Sequence, residues 1–343
     1  MKENAKEQPR ARLTPREIYA ELDRYVIGQE RAKRVVSIAA YNHVKRIEMR
    51  AGGEKNPPRK SNILLIGPTG CGKTHIARNL ARILDLPFTV VDATEYTEAG
   101  YYGKDVEVMV GELLFKTDLN VELAQKGIIF LDEVDKIARR SHGARTGAGS
   151  RDIGGEGVQQ ALLKLLEGQE IFVPLNVTQH WNKHDFTIVD TTDILFICAG
   201  TFSDLQRGLS NAEIGFMGKT PDKSPRITVK DLLDYGLIAE FLGRLPVIVE
   251  LAELTSNDLM RIIKEPPDSI LNEYKNLLKM DNIELEFTED ALEAIVEQSQ
   301  RKKLGARGLR TIFEEVMHDI MYEAPDRRGE KIIADREYVE KRL

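Results

Sequence analysis

Cysteine is almost missing from this chain. Cys71 and Cys198 are the only two in 343 residues, too few for a disulfide framework or a four-cysteine zinc site. Cys198 falls in the apolar stretch 194–198 and reads as packing; Cys71 lies in a glycine-rich loop, where no redox role is expected. No apolar run approaches the length of a membrane span, and residues 1–13 are polar and mixed in charge, without the apolar centre of a signal peptide. A soluble, cytoplasmic protein is therefore expected. There is no basic excess: 49 Lys and Arg against 55 Asp and Glu give a net charge of −6, which favours neither wrapping nucleic acid nor lying on an anionic membrane. No internal repeat is visible, and the stretch 142–157 is the sole low-complexity tract.

What is present is a chain 42% hydrophobic and 30% charged, enough for one large or two ordinary domains with proper cores. It is organised around Gly67-Pro68-Thr69-Gly70-Cys71-Gly72-Lys73-Thr74. This run follows the apolar residues 62–66 and opens an amphipathic segment, 73–85, in which Ile76, Ala77, Leu80, Ile83 and Leu84 recur with helical spacing. Strand, glycine loop, helix is the order of a phosphate cradle. The glycines let successive N–H groups and the helix N-terminus converge on one anion, Lys73 adds a mobile charge, and Thr74 offers a hydroxyl to Mg²⁺.

Further apolar runs predict strands at 88–92, 127–132, 194–198 and 246–251, alternating with helical pattern, as in a parallel three-layer α/β sheet. Ahead of the loop strand, residues 16–29 read as a helix and a turn, followed by a long helix over 30–49. From Thr255 the pattern turns helical, with one short strand at 284–287. Thr255 and Asp258 form a T-x-x-D helix start, Pro266 and Pro267 are expected to begin a further helix, and Thr288 another. Asp132 and Glu133 end the third strand, where open α/β sheets bind ligands. One fits Mg²⁺, usually through water; the other is placed to polarise the water that attacks a γ-phosphate.

With Tyr25-Val26-Ile27-Gly28-Gln29, the stretch from Gly155 to Lys164, Gly243-Arg244-Leu245-Pro246 and Gly305-Ala306-Arg307-Gly308-Leu309-Arg310 added, the chain resembles the ClpX family of AAA+ protein-unfolding ATPases from about Leu13 to about Asp326. The resemblance implies a P-loop AAA+ fold divided into a polar tail (1–13), a large ATPase domain (14–253) and a small, mainly helical domain (254–343), hinged at 252–254. It implies a homohexamer that hydrolyses ATP with Mg²⁺ and pulls tagged or unfolded proteins through a pore into the peptidase ClpP. By the same resemblance Val26 and Ile27 pack on adenine, residues Gly67 to His75 cradle the phosphates, and Arg244 is an arginine finger reaching a neighbouring subunit's nucleotide. Arg307 is the sensor-two arginine and Thr201 a weaker γ-phosphate sensor.

The family's pore loop falls on Gly100-Tyr101-Tyr102-Gly103, with Tyr102 in place of valine and Lys104 in place of an acid. Arg151 falls in the second pore loop. Lys183 and His184 lie at the pore entrance, where Asn182 replaces an arginine. Ile214-Gly215-Phe216 resembles the tripeptide that docks on ClpP, in a loop shorter than usual. The family's zinc module has no counterpart here, so no zinc is expected. A nucleic-acid remodeller with the same ATP site is the alternative, but no clear basic stripe or base-stacking platform supports it.

Overall fold

The computed structural model describes residues 13–97, 104–138, 155–174, 186–205, 227–302 and 304–343. Helices α1 (Pro15–Asp23) and α2 (Glu30–Ala51) precede strand β1 (Ile63–Ile66) and helix α3 (Lys73–Leu84). Then come β2 (Phe88–Asp92), α4 (Val108–Phe115), α5 (Val121–Ala124), β3 (Ile128–Asp132) and α6 (Gly155–Glu167). Strands β4 (Glu170–Pro174) and β5 (Phe186–Asp190) follow, and after them β6 (Leu195–Gly200), α7 (Val229–Tyr235), α8 (Ala239–Gly243) and β7 (Val247–Glu250).

Five of these strands form one parallel sheet in the order β2-β3-β6-β1-β7. Alternation along each strand makes the layers. Leu64, Ile66, Ile129, Leu131, Phe196 and Cys198 share one core with α4, α6, α7 and α8. Ile63, Leu65, Ile128, Phe130, Leu195 and Ile197 face the other way, onto α1, α2 and α3. Burial on both faces is why the strands read as near-continuous apolar runs, and each fully buried large side chain contributes about 1.5–3 kcal/mol. The expected three-layer α/β architecture is thus present. The antiparallel pair β4–β5 stands outside the sheet. Its apolar residues split between the core (Ile171, Val173, Val189) and the surface (Phe172, Phe186, Ile188).

From Ser256 on, α9 (Ser256–Lys264), α10 (Ile270–Lys279), α11 (Glu289–Arg301), α12 (Ala306–Glu323) and α13 (Arg336–Glu340) gather with β8 (Glu284–Phe287) and β9 (Lys331–Ala334) around a separate core centred on Phe313, Ile312 and Ile295. Thr255 and Asp258 form the expected capping box. Helix α10 begins later than Pro266-Pro267: Ser269 is its cap, accepting from the Asn272 N–H. The Pro266 carbonyl instead accepts the Ser269 N–H and the Asn272 side chain. The two prolines, which lack an N–H, sit in the preceding turn, and the serine side chain sets the start.

Candidate functional site

The cleft lies at the C-terminal end of the sheet. Gly70 and Gly72 hold φ of 76° and 101°, values open to glycine but strained for other residues. They bend the chain after β1 so that α3 starts at Lys73. Gly67 is the loop's floor: its N–H donates to the Gly200 carbonyl at 3.2 Å, and a Cβ there would lie 2.9 Å from Cys71 Sγ and from Leu251 Cβ. Lys73, 8% exposed, runs back under the loop and donates to the carbonyls of Gly67 (2.6 Å) and Pro68 (3.0 Å). Its charge is therefore held within the loop, beside the N-terminus of α3. Burial pushes the Cys71 thiol up, which leaves it an inert packing group.

A cavity of about 920 Å³ opens over this loop. Val26, Ile27, the run from Thr69 to His75, Asp132, Glu133 and Thr201 line it from the sheet side, and Arg307, near the start of α12, lines it from the helical region. Both Val26 and Ile27 are buried, on a strap tied down by the Tyr25 carbonyl 3.0 Å from His75 Nε2. Gly67 and Pro68, expected in the cradle, are not among the lining residues. Arg244 is not in this cleft.

Glu133 directly follows β3 in a left-handed conformation, φ 58°, an unusual setting for a side chain with a Cβ and one frequent at active sites. Its backbone N–H donates to Asp132 Oδ1 at 2.9 Å. Partial desolvation, together with the carboxylates of Asp92, Asp132 and Asp135, pushes the Glu133 carboxyl up, the direction that makes a carboxylate a better proton acceptor. Thr74 and Asp132 supply hard oxygen donors to the same cavity. They suit a cation that keeps water and phosphate ligands, as Mg²⁺ does.

Three residues had no role assigned from the sequence. Asp135 is buried and accepts from the Thr201 N–H (3.2 Å) and hydroxyl (2.9 Å), so the candidate sensor at the end of β6 is locked to the acidic end of β3. Asp92 joins the carboxylates that act on Glu133. Gln29 donates to the carbonyls of Cys71 (3.3 Å) and Ala252 (2.8 Å) and accepts the Ala252 N–H (3.0 Å), joining the strap, the glycine loop and the segment leading to α9. Asp135 could have been suspected from its distance of two residues from Glu133; the Gln29 contacts carry no local signal.

The helical region meets the glycine loop through main chain. The Ala306 N–H donates to the Gly70 carbonyl at 3.2 Å, and a Cβ on Gly70 would stand 2.4 Å from the Leu304 oxygen. Gly305, φ 56°, completes the contact. Arg244 lies beside the N-terminal end of β1: its carbonyl accepts from Asn62 Nδ2 at 3.0 Å, and its guanidinium pairs with Glu167. Tyr101, Tyr102, Arg151, Lys183, His184, Ile214, Gly215 and Phe216 lie outside the described residues. Among the described residues, no helix is long and apolar enough to cross a membrane.

Residues 58–248 match the family model of the AAA domain (Cdc48 subfamily), and residues 254–331 match that of the C-terminal, D2-small domain of ClpB protein. The chain is 46% identical over 314 residues to the ATP-dependent Clp protease ATP-binding subunit ClpX 2 of Wolinella succinogenes, covering 91% of this chain and 78% of that protein. The ClpX subunit of Treponema denticola is 44% identical over 337 residues (93% and 79%), and that of Borrelia duttonii 43% over 343 (96% and 79%).

Proposed function

The chain belongs to the ClpX family of AAA ATPases and is an ATP-hydrolysing Clp subunit, and on that premise we propose that it is a protein unfoldase, threading tagged substrates through the pore of a homohexamer. It hands them to the ClpP peptidase or acts alone as a chaperone. The observation that carries this reading is the single cavity lined by the loop 67–74, the acidic end of β3 and Arg307. Such a cavity holds a nucleotide between two bodies of one subunit, so that turnover bears on the angle between them.

In this reading Val26 and Ile27 take the adenine, the N–H groups of the loop and Lys73 take the phosphates, and Glu133 activates the attacking water. Mg²⁺, held by Thr74 and, through water, by Asp132, would neutralise phosphate charge. Arg307 reads the phosphates from the small domain (254–343) of the same subunit, and Arg244 reads them from the large domain (14–253) of the next. Hydrolysis then depends on assembly. Tyr101 and Tyr102 grip the substrate backbone, Arg151, Lys183 and His184 line its path, and Ile214, Gly215 and Phe216 dock on the peptidase.

The test is ATP-dependent loss of a folded fluorescent reporter bearing candidate tags, with and without ClpP. Tyr101→Ala should keep ATPase activity and lose unfolding, and deletion of residues 214–216 should abolish degradation while sparing ATPase. Normal unfolding by the first variant, or unchanged proteolysis by the second, would refute the corresponding role.

A further inference from the structure

Arg244 is held at two points, and both holds trace to the N-terminal end of β1. Asn62, 1% exposed, accepts the Phe196 N–H with its side-chain oxygen at 3.2 Å. Its Nδ2 donates to two carbonyls, those of Leu166 (3.2 Å) and Arg244 (3.0 Å). One amide thus bridges the backbone of Arg244 to the last turn of α6. That same turn carries Glu167, whose Oε1 accepts from Arg244 Nε at 3.0 Å and from Nη2.

Glu167 is presented from a rigid base. Lys60 Nζ caps the Leu165 carbonyl at 3.3 Å, and Asn62 caps Leu166. Gly168 follows at φ 90°, so close to the next segment that a Cβ would lie 2.6 Å from Thr192 Cα. Helix stability does not account for a carboxylate here, because the C-terminal end of a helix dipole is negative and disfavours it. Nor does the strength of the pair, since both side chains are about half exposed and such pairs contribute little. Geometry accounts for it. The single Glu167 oxygen takes one N–H from Nε and one from Nη2, leaving the second N–H of Nη2 and one of Nη1 side by side along the outer edge of the planar fork.

We infer that Glu167 is a positioning residue for Arg244: it grips one edge of the guanidinium so that the opposite edge is presented, ready oriented, to an anion outside the chain. This rests on the reading of Arg244 as the group that completes a neighbouring subunit's nucleotide site. Asn62 fixes the backbone from which that side chain springs. Because Asn62 directly precedes β1, the strand that feeds the phosphate loop at one end positions the outward-facing arginine at the other.

The experiment is a double-mutant cycle on assembled, full-length rings, reading steady-state ATPase, ring assembly and KM for ATP. Glu167→Ala should lower kcat about tenfold, the scale of a catalytic group displaced by a fraction of an ångström, with KM within about twofold and assembly intact. Glu167→Gln, which keeps an acceptor oxygen for Nε, should recover most of that loss. The double variant Glu167→Ala, Arg244→Ala should be no slower than Arg244→Ala alone, because Glu167 acts through the arginine. Losses that multiply, or a Glu167→Ala ring with normal kcat, would overturn the positioning role while leaving the arginine's role standing. Full turnover by Arg244→Ala would overturn both.

Discussion

Lys73 and Lys60 stand at opposite ends of β1, and their ammonium groups are satisfied in the same manner, by backbone carbonyls. Lys73 donates to Gly67 and Pro68; Lys60 donates to Leu165 and Thr191 and lies 4.7 Å from the Phe196 ring centroid. The difference is in what surrounds those carbonyls. Around Lys73 they belong to a loop whose other side is an open cleft. Around Lys60 they belong to the end of α6 and the segment before β6, and Arg46, bonded to Asp193, Thr192 and Pro58, closes the neighbourhood. One end of the sheet sets its buried charge beside an open cleft, the other uses it to hold segments of chain together. A buried lysine therefore says nothing about function until the far side of its carbonyls is known.

The comparison can be broken or sharpened in four ways. The largest effect belongs to the cleft end. Glu133→Gln should lower ATP turnover by roughly 10²-fold or more, the usual contribution of a general base, while nucleotide binding measured by fluorescence titration persists; substantial turnover would remove Glu133 from the chemistry. Next, Lys73→Met should weaken nucleotide binding about tenfold to a hundredfold, the worth of a charge-assisted bond, whereas Lys60→Met should leave affinity within a few-fold. Equal losses in the two variants would erase the contrast between the two ends.

Third, Gly70→Ala forces a Cβ to within 2.4 Å of the Leu304 oxygen at a φ of 76°. It should lower unfolding free energy by about 1–3 kcal/mol in denaturant titrations; full stability would mean that the loop and the helical region part easily. The smallest effect is on pH dependence. Burial and the Arg46 charge push Lys60 from 10.5 down to about 7. Between those values the unfolded chain binds more protons than the folded one, so stability rises with pH, with a slope of at most about 1.4 kcal/mol per unit. Lys60→Met should flatten that rise. His43, pushed by burial and by the Lys60 and Arg46 charges from 6.5 to about 3, acts in the same sense on the acid side: stability is lost as pH falls from 6.5 toward 3, and the Lys60 variant, which keeps the burial but removes one of those charges, should lessen that loss without abolishing it.

The cleft end was legible in the sequence because its chemistry is local. Eight consecutive residues make the phosphate loop, and Asp132-Glu133 ends an unbroken apolar run, so spacing alone places them on a strand–loop–helix and at a strand tip. The bonds that join distant positions, at either end of the sheet, were not. Arg244 meets Glu167 from 77 residues away, and Gln29 meets Ala252 from 223 away; neither partner stands out among its neighbours. The strands β1, β2, β3, β6 and β7 fall within two residues of their expected bounds because their runs are mostly apolar, with β1, β3 and β6 buried on both faces. Strands β4 and β5 gave no such signal, since Phe172 and Ile188, paired across the ladder, face outward and blur the alternation. The late start of α10 was hidden by Pro266-Pro267, a strong helix-start pattern overridden by the Ser269 cap three residues on.

The meeting of Gly70 with Ala306 uses no side chain on either part. A joint of that kind is indifferent to most substitutions around it and sensitive to the two glycines that let the backbones touch. A C-terminal region taken from a homologue and spliced on after residue 254 would accordingly seat against this loop as long as glycine stands at 305, however far the exposed surfaces of the two sequences had drifted apart.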